Sequence, residues 1–284
     1  MQSGFSGKLQ GVKTGMGMAK MQSGYNMGRV RNIPNKDKMQ DPQVWTGINA
    51  PFIHWNSENC SVNASNNLLT ISNLSNGSNP PSLAIGSDPN RVDNSVFNGR
   101  SSIVFDSTDY ISGGSLTGLN EVTFMMVFQL NTTATTDMGT YIFSTIGDTI
   151  GDIYIQSVGG NAIQTTLVGN PTTNTSVYQT PPNLMSNDWY VLTAKFRLFQ
   201  LNGNGSEQEV YINGTKQNII PITTNYTGLR SDTFSNTSVF WGGNSSQTRG
   251  GNKISTGLLF KYWLNSSEQI RIENYLKWYY GYRF

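Results

Sequence analysis

The sequence has few of the residues on which most catalytic and metal sites depend. Cys60 is the single cysteine and His54 the single histidine among 284 residues. One cysteine excludes an internal disulfide and argues against a cysteine-based zinc site. One histidine excludes a pair of histidine metal ligands, and no G-x-S-x-G nucleophile motif accompanies it. We therefore expect a protein that is not an enzyme and that has no cofactor.

Charge and long apolar runs are also scarce. Charged residues make up 13% and hydrophobic residues 36% of the chain, both below the usual share of a globular protein. The first residues lack the apolar segment of a signal peptide, and no run approaches the roughly 18 apolar residues of a membrane-spanning helix. Asn, Ser, Thr and Gly fill the deficit, and they favour turns and exposed strand faces. Abundant Tyr, Phe and Trp can still form a core, so we expect a turn-rich β protein.

Basic residues are concentrated at the N-terminus. Residues 1–40 have a net charge of +6, which leaves −4 for the remainder of a chain of net charge +2. This segment is rich in Gly and Met, so helix formation is disfavoured and ordering is entropically costly. We predict that residues 1–45 form an extended arm, either a disordered tail or an anchor that threads between neighbouring subunits. Its partner-binding residues are Lys8, Lys13, Lys20, Arg29, Arg31, Lys36 and Lys38.

From residue 46 onward the pattern is one of short strands separated by turn signals. Two long strands are predicted at 121–130 and 189–200, and in the second of these Thr193, Lys195 and Arg197 share a face that we expect to meet solvent. Asn213-Gly214 is typical of a two-residue hairpin turn. The residues expected on the inward faces of the two strands are Val122, Phe124, Met126, Phe128, Leu130, Tyr190, Leu192, Ala194, Phe196 and Leu198.

One amphipathic helix is predicted near the C-terminus. Ser266 and Gln269 have the spacing of a capping box, and Gly281 is placed to end the helix. The apolar positions follow the period of a helix: Ile272, Tyr275, Leu276 and Tyr279. Residues 46–284 are therefore expected to form an all-β, two-sheet antiparallel β-sandwich of the jelly-roll type, closed by one C-terminal helix.

Three motifs in this order resemble the concanavalin A-like lectin/glucanase superfamily, and within it the laminin-G-like domain. They are the segment 98–110 (NGRSSIVFDSTDY), the hairpin 210–214 (VYING) and the C-terminal segment 264–281. The resemblance covers about residues 45–284 and implies the sandwich fold without a function. Asn-rich domains of this kind are similar to those in virion structural proteins of large DNA viruses and phages.

Candidate sites follow from this resemblance and from residue types. Trp241, Asn244 and Arg249 offer the aromatic platform and the Asn and Arg donors of a lectin-like sugar site. Glucanases of this fold use an E-x-D-x-E strand, of which only Glu207 and Glu209 have counterparts here, so catalysis is not expected. Lectin-like sandwiches often bind calcium through loop carboxylates, for which the conceivable ligands are Asp88, Asp93 and Asp106, although no spacing supports them.

Two functions are favoured at this point, ahead of a third reading as an inactive or divergent glycosidase. The first is a structural role as a minor capsid or virion surface protein, assembled in the host cytoplasm and anchored to neighbouring capsid proteins by the arm. The alternative is a carbohydrate-binding lectin module for host or glycan attachment. A nucleic-acid partner is not favoured, because Gly and Met separate the basic residues of the arm.

Overall fold

The computed structural model describes most of the chain beyond residue 46. The described residues are 47–93, 96, 99–106, 109–129, 140–145, 153–158, 162–168, 175–181, 188–198, 206–224, 233–234, 238–242 and 252–281. The predicted arm, with its seven basic residues, lies outside them. The division into an arm and a sandwich domain therefore stays a prediction.

The described strands form two large antiparallel sheets and a small ribbon, as the sequence predicts. Sheet I contains, in spatial order, β15 (Thr215–Lys216), β14 (Ser206–Ile212), β13 (Trp189–Leu198), β8 (Glu121–Gln129), β18 (Asn252–Phe260), β6 (Ser102–Phe105) and β5 (Asn90–Val92), and β1 (Ile53–Asn56) also pairs with β18. Sheet II contains β16 (Ile220–Thr224), β12 (Thr175–Gln179), β11 (Ala162–Val168), β10 (Ile153–Val158), β9 (Thr140–Thr145), β17 (Val239–Trp241), β7 (Tyr110–Gly113) and β4 (Ala84–Gly86). The ribbon pairs β2 (Cys60–Val62) with β3 (Leu68–Ile71), and a short 3₁₀ helix spans Ser57–Asn59.

The hydrophobic core lies between the two sheets. Phe124 and Phe196 of sheet I meet edge to face, with ring centroids 6.0 Å apart, and both are fully buried. Ile155 and Ile163 of sheet II belong to the same cluster. Because alternate residues of a strand point to opposite faces, the alternation in β8 and β13 places their predicted inward residues in this core. Leu130 lies outside the described residues.

Two tryptophans connect the sheets across the core. Trp55 of β1 and Trp241 of β17 are both fully buried, with ring centroids 6.0 Å apart in a T-shaped arrangement. A Cβ atom at Gly257 of β18 would lie 2.5 Å from Nε1 of Trp55 and 2.9 Å from Nε1 of Trp241. Gly257 therefore allows both indoles to approach the strand, and any side chain there would displace them.

A C-terminal helix, α1 (Ser266–Tyr280), covers the outer face of sheet I. Its capping box is formed by Asn265 and Glu268. The side chain of each residue accepts a hydrogen bond of 3.0 Å from the backbone N–H of the other residue. The predicted pair Ser266 and Gln269 was wrong by one residue, because an Asn side chain caps as well as Ser does. Gly281 ends the helix with φ +71°, as predicted. The predicted apolar stripe is buried: Ile272, Tyr275, Leu276 and Tyr279.

The helix changes the environment of the polar residues below it. Thr193 and Lys195 were expected to meet solvent, and that prediction was wrong: they are 0% and 1% exposed. Lys195 Nζ donates to the Leu264 carbonyl at 2.8 Å, and Thr193 Oγ1 donates to Glu273 Oε1 at 2.6 Å. The alternation of apolar and polar residues in β13 correctly predicted that these side chains lie on the outer face. It carried no information about the helix that covers this face.

The hairpin between β14 and β15 is confirmed. Asn213 and Gly214 have φ values of +53° and +82°, as a type I′ turn requires. Lys277 of α1 donates to the Asn213 carbonyl at 2.7 Å, so the turn is also fastened to the helix.

Candidate functional site

The eight strands of sheet II contain no Asp, Glu, Lys, Arg or His. The strands of sheet I carry His54 and eight charged residues: Glu121, Lys195, Arg197, Glu207, Glu209, Lys216, Lys253 and Arg91. The chain as a whole is 13% charged, so the absence is specific to one sheet. Sheet II therefore presents hydrogen-bonding groups without charge.

A row of glutamines crosses the middle of sheet II. In register, Gln164 of β11 lies opposite Gln156 of β10 on one side and Gln179 of β12 on the other. Gln164 and Gln179 are half-buried and share the face opposite to the core, because their neighbours Ile163 and Thr165 are buried. An amide both donates and accepts hydrogen bonds, so Gln164 and Gln179 match the hydroxyl groups of a polar neutral ligand.

Further neutral side chains continue this outer face. Thr166 and Val177 are half-buried partners in register, one step along the strands from the glutamines. On the same face, toward the β4 edge of the sheet, Ser112 lies opposite the buried Phe240, and the ring centroids of Tyr110 and Phe240 are 5.3 Å apart. The outer face thus combines amides, hydroxyls and an aromatic pair.

A groove adjoins the free edge of sheet II at β4. Its volume is about 690 Å³, and its walls are residues 69–73 and 80–85, all of them uncharged. Asn73 fixes the intervening segment: its Nδ2 donates to the carbonyls of Phe52 and Pro81, and its Oδ1 accepts from the N–H groups of His54 and Ser75. These four bonds, of 3.0 to 3.2 Å, hold the wall of the groove in place.

The sequence-predicted sugar site is only partly within the described structure. Trp241 is fully buried between the sheets, so its ring does not form an exposed platform in this arrangement. Asn244 and Arg249 lie outside the described residues. Because only Trp241 of the three residues is described, the grouping of the three as a site stays a prediction.

The acidic pair on β14 is part of the charged layer of sheet I. Glu209 accepts from Tyr211 Oη at 2.8 Å, contacts Lys216 Nζ, and lies 3.8 Å from Lys195 Nζ. Burial alone would raise the pKa of Glu209, but hydrogen bonds from Lys216 and Tyr211 lower it. Burial likewise lowers the pKa of Lys195, against the opposing charges of Glu209 and Glu273. A carboxylate held in its ionised form by two cations is poorly suited to act as a general acid. Nothing is described of the Glu207 side chain.

The single histidine is buried. His54 is 3% exposed, and burial lowers its pKa to about 4. Its ring is therefore neutral at physiological pH, consistent with a packing role.

The aspartates proposed as calcium ligands form a turn and an ion pair. Asp109 accepts from the backbone N–H groups of Asp88 and Asp106, at 3.1 Å each, and burial raises its pKa to about 6. Asp93 pairs with Arg91 at 2.8 Å. In the described part of the chain, no three His, Cys, Asp or Glu side chains are grouped to hold a metal ion. Within that same part, no helix is both long and apolar enough to cross a membrane.

Sequence reasoning missed the neutral sheet, although the sequence contains its signal. Residues 153–187 include no charged residue, a stretch that supplies β10, β11 and β12. The glutamine row could not be found in this way, because the pairing of Gln156, Gln164 and Gln179 depends on strand register.

The fold matches solved structures, whereas no protein-family model matches the sequence and no curated protein sequence matches it significantly. It superposes on the binding domain of botulinum neurotoxin serotype D with a TM-score of 0.54 and 13% identity, over 82% of this chain and 53% of that one. The serotype D ligand-binding domain in complex with N-acetylneuraminic acid superposes with a TM-score of 0.54 and 12% identity, over 81% of this chain and 52% of that one. The serotype G binding domain superposes with a TM-score of 0.53 and 13% identity, over 80% of this chain and 51% of that one.

At such identities the similarity establishes the fold alone. The chain spans about half the length of these domains, so the sugar of the second structure is not placed on the shared half. The structural neighbours are named as receptor-binding and ligand-binding domains.

Proposed function

We propose that this protein is a non-catalytic carbohydrate-binding module whose ligand lies on the outer face of sheet II. The observation that carries the proposal is the amide pair Gln164–Gln179, with Gln156 next in backbone register, in an eight-stranded sheet without a charged residue on its strands. Desolvating an amide or hydroxyl costs far less than desolvating a charge, so a neutral face can exchange water for sugar hydroxyls at little expense. Structural neighbours that are ligand-binding domains support the same class of function.

The arrangement favours an extended saccharide over a single compact sugar. The glutamines lie on three adjacent strands, and strands of a sheet are about 4.8 Å apart, so the row spans about 10 Å. The groove beside β4 offers a second neutral surface at the other edge of the same sheet. Aromatic contact to the apolar face of a sugar ring is available from Tyr110, which is half-buried on the outer face.

The test is a glycan array followed by titration of the hits with wild-type protein and with the double variant Gln164→Glu, Gln179→Glu. Each carboxylate keeps the size of the amide but removes its donors, so we expect binding to weaken about tenfold or more, equivalent to about 1.4 kcal/mol. Asn274→Asp, on the exposed surface of α1, is the matched amide-to-acid control and should leave binding unchanged. An array without hits, or equal affinity in the double variant, would contradict the proposal.

A second proposal is an assembly role, in which the protein is a minor capsid or virion surface component anchored by residues 1–45. The charge asymmetry of the sequence, +6 in residues 1–40, supports an arm that binds an acidic protein surface. Deletion of residues 1–45 should then abolish incorporation into the particle while leaving glycan binding intact. Incorporation at the wild-type level would remove this role.

A further inference from the structure

A pocket of about 420 Å³ lies beside the groove, on the other side of the segment 72–83. Three parts of the chain line it: residues 49–52, residues 75 and 77–80, and residues 261–262. Pro80 lines both the pocket and the groove, so the two are neighbours. The volume lies within the range of about 300–1,000 Å³ that small-molecule sites occupy.

The walls of the pocket are fixed by hydrogen bonds before any ligand arrives. Ser75 Oγ donates to the Pro51 carbonyl and accepts from the Gly77 N–H at 3.0 Å. Tyr262 Oη donates to the Asn49 carbonyl at 3.2 Å, which joins the remaining wall to the first. A pocket fixed in this way loses little conformational entropy on binding.

Of the described residues that line this pocket, only Lys261 is charged. Its Nζ lies 3.4 Å from the centroid of the Phe52 ring, within reach of a cation–π contact. Among the described residues it has no carboxylate partner, whereas Lys195 and Lys216 share Glu209. The Lys261 side chain is largely exposed, and the part of it that is buried lowers the pKa of its ammonium group.

The other lining groups are neutral and polar. Asn49, Ser78 and Asn79 are exposed, and Tyr262 is half-buried. Amides and hydroxyls of this kind can bond to sugar hydroxyls but offer no second charge. The pocket thus matches a ligand with one negative group and several hydroxyls.

We propose that this pocket binds the carboxylate-bearing sugar of an acidic saccharide, with Lys261 pairing the carboxylate and the surrounding amides bonding the hydroxyls. The inference rests on the proposed function, because it names the sugar at one end of the saccharide that sheet II binds. A neutral chain on sheet II and an acidic residue in the pocket are two separable contacts.

The experiment is a titration by ligand-observed NMR with two carboxylate sugars, glucuronic acid and N-acetylneuraminic acid, each beside its methyl ester. Esterification removes the charge with little change in shape, so wild type should bind at least one acid about tenfold more tightly than its ester. Lys261→Met should remove this preference, and Lys261→Arg should restore part of it. Lys253→Met, on β18 and away from the pocket, should bind the acid as wild type does.

Equal binding of acid and ester by wild type, or an unchanged preference in Lys261→Met, would overturn the inference. The two proposals fail separately in these measurements. If Gln164→Glu, Gln179→Glu weakens neutral glycans while Lys261→Met has no effect, the pocket inference alone is wrong. If no neutral glycan binds while the acid still depends on Lys261, the role of sheet II is wrong.

Discussion

The two sheets contribute to one core but differ in the side chains on their outer faces and in what covers those faces. Sheet I carries eight charged residues on its strands, and α1 covers part of its outer face. Several of the charges there are paired or bonded internally, as Lys195 is to Leu264 and Glu209. The strands of sheet II have none, and their outer face carries half-buried amides and hydroxyls instead. The proposed ligand-binding role of sheet II rests on this difference, whereas both sheets contribute to the core.

The largest expected effect comes from the contact that joins the two sheets. Trp241→Ala removes a fully buried indole and should lower the free energy of unfolding by about 3–5 kcal/mol, since large-to-small changes leave a cavity. Chemical denaturation measures this directly. Ile222→Ala, at an exposed position on β16 of the same sheet, is the control and should cost less, because little buried surface is lost. A stable variant that merely loses glycan binding would show that Trp241 is a ligand platform instead.

The buried charge of sheet I gives the next effect. Lys195→Ala should lower the free energy of unfolding by about 3 kcal/mol, because the Leu264 carbonyl and Glu209 lose a buried cation. Lys216→Ala removes the other cation that contacts Glu209, but its side chain is 58% exposed, so we expect a loss of less than about 1 kcal/mol. Equal losses would mean that α1 does not desolvate this layer.

The response to acid should also arise in sheet I, which contains His54. Burial lowers its pKa from 6.5 to about 4, so the unfolded chain binds a proton more readily than the folded one. The stability that the neutral, buried His54 ring contributes is complete above pH 6.5, and it is lost as the pH falls toward 4. A tenfold difference in proton affinity corresponds to about 1.4 kcal/mol, so the loss attributable to His54 approaches about 3 kcal/mol. Denaturation midpoints of wild type and His54→Gln at several pH values should converge on acidification, and parallel curves would contradict this account.

The smallest effect on stability is expected on sheet II. Thr166→Lys places a charge beside the glutamine row at a half-buried position and should change the free energy of unfolding by less than about 0.5 kcal/mol. Binding of a neutral glycan should nevertheless weaken. Affinity of the wild type for that glycan should be nearly unchanged from about 50 mM to about 500 mM salt, because screening acts on charges. A steep salt dependence would point to a charged contact elsewhere.

Local patterns in the sequence predicted much of the fold. Asn213-Gly214 predicts its turn because both residues tolerate positive φ. The spacing of the apolar residues alone predicts the buried face of the helix: Ile272, Tyr275, Leu276 and Tyr279. Lys195 shows where such reasoning ends: alternation assigns a face, but only tertiary packing says whether that face meets water. Trp241 shows the same for the site, because its neighbours in sequence indicate a polar loop while its ring lies beside Trp55.

The candidate site depended on information that no single segment holds. Gln156, Gln164 and Gln179 form a row only after three strands pair in one register. Lys261 and Phe52 are distant in sequence and meet because β1 pairs with β18. The absence of charge over residues 153–187 was the one part of the site that the sequence displayed directly.

Asn73 has a consequence for protein engineering and for divergence among relatives. The Asn73 side chain joins the two ends of segment 72–83 through four hydrogen bonds to backbone groups. Asn76, Ser78 and Asn79, in the middle of the segment, are exposed. Such a loop can change its tip without unfolding its frame, as loops on rigid scaffolds commonly do. Randomising residues 76–79 with Asn73 kept should therefore yield folded libraries with new ligand preferences. The same freedom would let natural variants acquire new targets while the sandwich stays unchanged.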